Sequence, residues 1–161
     1  MENSLIKDQS KSLAQCNRMK KSVLLRKEER ILLEEALKAM KKAHVLWGLA
    51  VGAAVLAEDG NVYEGCNVES WVSGIGTCAE RCAIDHAVLH GNKKIRKVAV
   101  VMGADRRKPP RPCGACLQYI HDFALSPEIK IIMAQAMGQR IVPDSVDIKT
   151  LAELLPFPYE K

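Results

Sequence analysis

Residues 95–102 form an almost wholly apolar stretch, and residues 129–134 form a second one. Successive side chains of a strand point to opposite faces, so a strand that is apolar throughout has no face to offer water. It must lie in a sheet covered on both sides, as strands do beneath layers of helices. The helices that could cover it are also readable. Ile31, Leu32, Leu33, Ala36, Leu37, Met40 and Ala43 make one apolar stripe from Glu29 onward, with Glu34, Glu35, Lys38, Lys41 and Lys42 outside it. Helices are further expected over 78–90, closed by Gly91 in a left-handed cap, and from Cys113 to Phe123. Residues 49–57 and 62–68 read as strands joined by an Asp59-Gly60 turn. Thr150-Leu-Ala-Glu153 has capping-box form and opens a last short helix. The expected fold class is therefore α/β, a three-layer α/β/α domain around one mixed sheet.

One such domain fits a chain of 161 residues. Its charge is unevenly placed: residues 1–45 hold eleven Lys/Arg against six Asp/Glu, and the rest hold thirteen of each. Residues 1–28, with no acidic side chain between Gln9 and Lys27, are expected to be a basic, flexible tail ahead of a catalytic domain at 29–161. An organelle-targeting role for that tail is the weaker reading. The neutral remainder and the 4% aromatic content speak against a nucleic-acid face. No apolar run approaches membrane-spanning length, and no secretory signal precedes the six cysteines. A reducing, cytoplasmic setting follows, in which clustered cysteines bind metal or do redox chemistry.

The chemistry sits in Cys78-Ala-Glu80 and, thirty-three residues after the glutamate, Cys113-Gly-Ala-Cys116. A CxxC in the first turn of a helix places both sulfurs beside unpaired backbone N–H groups and the positive end of the dipole. That favours the thiolate, the species that binds zinc. Cys78 opens a second helix with the same advantage. Three protein ligands leave a fourth tetrahedral position for water, the arrangement of a catalytic zinc, one per chain. Glu80, two residues from a ligand, is the candidate proton carrier, and Arg81 is placed to donate to a cysteine sulfur. A thioredoxin-like redox pair lacks its βαβ context here, and a structural zinc would need Cys82 or His86 as fourth ligand. Cys16, Cys66 and the four histidines have no matching spacing.

At these residues the sequence resembles the small zinc-dependent cytidine deaminases. The resemblance covers about residues 30–159 and runs through Val51-Gly-Ala-Ala54, Gly65-Cys-Asn-Val-Glu69, Thr77-Cys-Ala-Glu-Arg81, Pro112-Cys-Gly-Ala-Cys116 and Leu154-Leu-Pro156. It implies hydrolytic deamination of cytidine, 2′-deoxycytidine or a close cytosine nucleoside, with Glu80 as acid and base. It further implies that Asn67 and Glu69 bind the ribose, that the backbones of Ala79 and Thr77 hold the pyrimidine oxygen and the departing amine, and that Tyr159 completes a neighbour's site in a homotetramer. The departures fall near the base. Leu46-Trp-Gly-Leu49 stands for the family's Tyr-Ser-x-Phe, so the stacking phenylalanine is Leu49; Ser70-Trp-Val-Ser73 replaces Asn-Ala-x-Tyr. The competing readings are a deaminase of another aminated heterocycle, such as a blasticidin-like nucleoside or a free base, and a non-catalytic zinc-binding or nucleic-acid-associated relative.

Overall fold

The computed structural model describes residues 24–72, 74–104 and 111–160. The N-terminal tail up to residue 23, Cys16, Ser73 and the Arg/Pro loop at 106–110 lie outside the described residues. The elements run α1 (Lys27–Met40), β1 (Val51–Ala57), β2 (Val62–Cys66), α2 (Ala79–Leu89), β3 (Ile95–Gly103), α3 (Gly114–Phe123), β4 (Lys130–Met137), β5 (Arg140–Ile141), β6 (Asp147–Thr150) and α4 (Leu151–Leu154). The sheet order is β2-β1-β3-β4-β5, with β6 also on β4. β3 and β4 are parallel and the remaining pairs antiparallel, so the sheet is mixed.

The three layers follow from strand alternation. Ala53, Val55, Val98, Val100, Ile131 and Met133 face α2 and α3, packing on Ala83, Ile84, Ala87 and Ile120. Ala54, Leu56, Ala99, Val101, Ile132 and Ala134 face α1, meeting Leu32, Leu33, Ala36 and Met40. Both faces of the central strands are thus sealed, which is why they read as continuous apolar runs. The helices approach unusually closely at two glycines. A Cβ on Gly52 would lie 2.0 Å from the Ala36 carbonyl oxygen, and one on Gly65 would lie 2.3 Å from the Ala83 nitrogen. At Gly65 that contact seats the first turns of α2, and so Cys78 and Glu80, against the end of β2.

Several boundaries depart from expectation for local reasons. α1 begins at Lys27, inside the segment expected to be tail, because the Glu29 carboxylate turns back to accept the Arg26 N–H at 2.9 Å. Ile31, expected in the buried stripe, is 42% exposed. β1 starts at Val51 and not at 49, since the Asn67 side chain takes the place of a ladder there: its Oδ1 accepts from Val51 N–H and its Nδ2 donates to the Leu49 carbonyl. β2 ends at Cys66, where the chain leaves to pair Val68 with His44 and Thr77. Neither β5 nor β6 was visible in the apolar pattern; both are short, and β6 is only half-buried.

Glu29 is the most deeply buried carboxylate outside the site and shows how α1 is locked on. Burial alone would raise its pKa, but the Arg26 N–H and the Lys130 ammonium at 3.3 Å outweigh it and leave the group below the ordinary carboxylate range. A depressed folded-state pKa contributes stability above the unfolded value of about 4.3 and loses it as pH falls through the folded value. Glu29→Ala is expected to cost about 1–2 kcal/mol at pH 7, since it removes the acceptor of the Arg26 N–H at the helix start, while Lys130, 40% exposed, turns to water. The deficit should shrink toward pH 3; denaturant melts of both proteins across that range measure it, and a deficit independent of pH would rule out the ionic part of the argument.

Candidate metal centre

Cys78 and Cys113 are the N-cap residues of α2 and α3, both with extended backbone and no side-chain cap bond of their own. Their sulfurs are therefore not engaged in satisfying the helix ends and project beside the first-turn N–H groups. Cys116 lies one turn into α3 and is buried, Cys78 is half-buried, and Cys113 is exposed. The three Sγ atoms lie within 4.8 Å of one another, the only such metal-holding group of three among the described residues. Cys82 and His86, the possible fourth ligands, are not part of it; they line a separate cavity with Lys42, Glu64 and Cys66.

The thiols behave as one unit. A hydrogen bond from Cys116, reinforced by Arg81, lowers the Cys78 pKa to about 6, while the same bond and burial push Cys116 up. Arg81 donates from Nη2 to the Gly76 carbonyl at 3.3 Å, and its buried Nε has no partner. An unpaired guanidinium N–H beside the thiol cluster calls for an acceptor, which a thiolate sulfur can be. A zinc ion bound to deprotonated sulfurs fits that demand. Bonds of about 2.3 Å to tetrahedral sulfurs put them roughly 3.8 Å apart, within a small adjustment of the spacing present.

Glu80, on the first turn of α2, is 5% exposed and shares a cavity of about 200 Å³ with the three cysteines, Asn67 and Ala79. Burial raises its pKa, and the negative Cys78 adds to the effect. Not every expected residue reaches this cavity. Thr77 is paired through its backbone with Val68 and lines the next cavity along, together with Glu69. Leu49 is 37% exposed and is not among the walls. Tyr159 is exposed and lines a different cavity, where its N–H donates to Gln118 and its carbonyl accepts from Gln118. The sequence reading missed Val100, Met102 and Arg111, which complete the walls. The first two were hidden as ordinary core strand residues; Arg111, directly before Pro112-Cys113, had a signal that went unused.

The family of the cytidine and deoxycytidylate deaminase zinc-binding region matches residues 26–133. A cytidine deaminase of Sporosarcina psychrophila is 37% identical over 81% of this chain and 90% of its own length. One from Halalkalibacterium halodurans is 35% identical over 80% of this chain and 92% of its own. The crystal structure of cytidine deaminase from Burkholderia pseudomallei superposes with a TM-score of 0.70 at 32% identity, covering 81% of this chain and 98% of that one. With the thiol cluster, the buried glutamate and the mixed sheet all in place, the chain belongs to the zinc-dependent cytidine deaminase family and is a hydrolytic deaminase.

Proposed function

We propose that this protein converts cytidine, 2′-deoxycytidine or a close cytosine nucleoside to the uridine product and ammonia. The observation that carries the reading is Glu80: a buried carboxylate with a raised pKa, in one cavity with three thiols gathered for a metal. Zinc held by Cys78, Cys113 and Cys116 would lower the pKa of water from about 15.7 toward 7. Glu80 accepts a proton as water oxygen bonds to C4 of the ring and delivers it to the ring nitrogen; it then takes the proton of the new C4 hydroxyl to the exocyclic amine, so that the C4–N bond breaks, ammonia leaves and the C4 carbonyl forms. A carboxylate whose pKa has moved toward neutrality suits both directions of that transfer. Arg81 holds the sulfurs' negative charge, and Ala79, fully buried, offers its backbone to the base.

Asn67 and Glu69 serve the ribose in this reading, and Thr77 stands with Glu69 in the wall of the adjoining cavity. Tyr159, held outward by Gln118, serves a neighbouring copy in a homotetramer with shared sites. The setting is the cytoplasm and the role pyrimidine salvage; no helix among the described residues is long and apolar enough to cross a membrane. The test is a panel of cytosine and adenine nucleosides, free cytosine and blasticidin-type compounds, with ammonia as readout. Turnover of cytidine or deoxycytidine above the others is the expected result; preference for a free base or an adenine nucleoside would overturn it.

A further inference from the structure

A second cavity of about 250 Å³ adjoins the catalytic one, and Asn67 and Cys78 belong to the walls of both. Its remaining walls include Trp47, Glu69, Ser70 and Thr77. Trp47 stands between Leu46 and Gly48, ahead of the first residue of β1. It is 61% exposed, yet it is not loosely held. Glu69 Oε2 accepts the backbone N–H groups of Leu46, Trp47 and Gly48 at 2.6, 2.9 and 3.3 Å. Those bonds, that of Trp47 first, lower the carboxyl pKa and keep it ionised. The other oxygen packs against Gly48, where a Cβ would come within 2.3 Å of it. Trp71 then meets the Trp47 ring edge-on, with centroids 5.2 Å apart and planes at 69°.

A flat aromatic wall combined with a carboxylate, an amide and a hydroxyl matches a small ring that has a C–H face and a hydroxyl edge. A pentose has both; a free pyrimidine base has no hydroxyl edge to present. Resting on the nucleoside reading above, we infer that Trp47, held in place by Glu69, is a specificity-determining residue that contacts the sugar of the substrate. In this arrangement Glu69 is a positioning residue for the 46–48 segment, in addition to any contact of its own with a hydroxyl group.

The chain's only two tryptophans make the inference measurable. In a Trp71→Phe protein, Trp47 is the sole indole. Uridine is expected to quench or shift its emission, and uracil at equal occupancy of the site to leave it largely unchanged. Glu69→Ala in the same background should move the emission before any ligand is added, a change that loss of a hydroxyl contact alone would not produce. Trp47→Ala should raise KM for cytidine about fivefold with kcat within twofold, and Trp47→Phe should restore most of the loss. An unchanged KM in a folded Trp47→Ala protein, or equal quenching by uracil and uridine, would overturn the sugar contact; unchanged emission in Glu69→Ala would overturn the positioning. If Trp47→Ala fails to fold, the emission titration decides alone. A wild type inert toward every cytosine nucleoside would instead refute the reading on which this inference rests.

Discussion

Glu80→Gln is expected to retain zinc and fold while losing about 10²–10⁴-fold or more in kcat, the range that a positioned acid–base group contributes. The substitution keeps the shape of the side chain and removes only its capacity to ionise. Nothing else described in the cavity could take over. Asn67 carries an amide, which does not take up or release a proton, and the thiols are committed to the metal. Arg111 lies in the wall as a permanent cation, 3.9 Å from Asp147. Stability should move in the opposite direction from rate. Glu80 is 5% exposed, so its carboxylate is held in the folded state against a desolvation cost that the amide largely avoids. The variant should therefore melt at the wild-type temperature or above it, the pattern of a residue kept for chemistry and not for folding. Measured together, kcat, zinc per chain and melting temperature separate the cases. Near-normal turnover in a folded, zinc-loaded variant would show that another group moves the proton.

How far the sequence foretold this arrangement depended on the range over which each signal acts. The sheet was legible because alternation is local: β3 and β4 are buried on both faces and say so in consecutive residues. The Thr150–Glu153 capping box was legible for the same reason, and both of its bonds are present, at 3.2 and 2.8 Å. The metal group needed two helix starts to meet, yet each start carries its own cysteine cap, and the motif told where they would be. What stayed hidden were the long-range uses of polar side chains. Asn67 delays the start of β1 by replacing a strand partner for Val51, sixteen residues away. Glu69, assigned to a sugar by resemblance, spends one oxygen on three backbone N–H groups more than twenty residues upstream. No spacing rule reports such bonds, because the two ends come together only after the sheet has formed. Leu49, matched to a stacking position by resemblance, offers its carbonyl to Asn67, while the apolar walls of the catalytic cavity are Val51, Val100 and Met102.

Cys113→Ala is expected to bring zinc from about one per chain to near zero and to abolish turnover. Of the three sulfurs it is the cleanest to remove. Cys116 is buried in the packing of α3, and Cys78 is half-buried and stands two residues before Glu80, so changes there disturb more than the metal. Cys113 is exposed, and its alanine variant deletes one sulfur without opening a core cavity. Two remaining thiols cannot hold a tetrahedral site against solvent. The loss should be visible without any substrate. A ligand that binds only the folded state at a thousand times its Kd adds about 4.1 kcal/mol, so a chelator should lower the melting temperature of the wild type and leave that of the variant unchanged. Cys82→Ala is the control, because Cys82 stands four residues along α2 from Cys78, on the wall of a different cavity. It should keep its zinc. Equal zinc in wild type and Cys113→Ala, or zinc lost from Cys82→Ala, would mean that the metal is held by a different set of ligands.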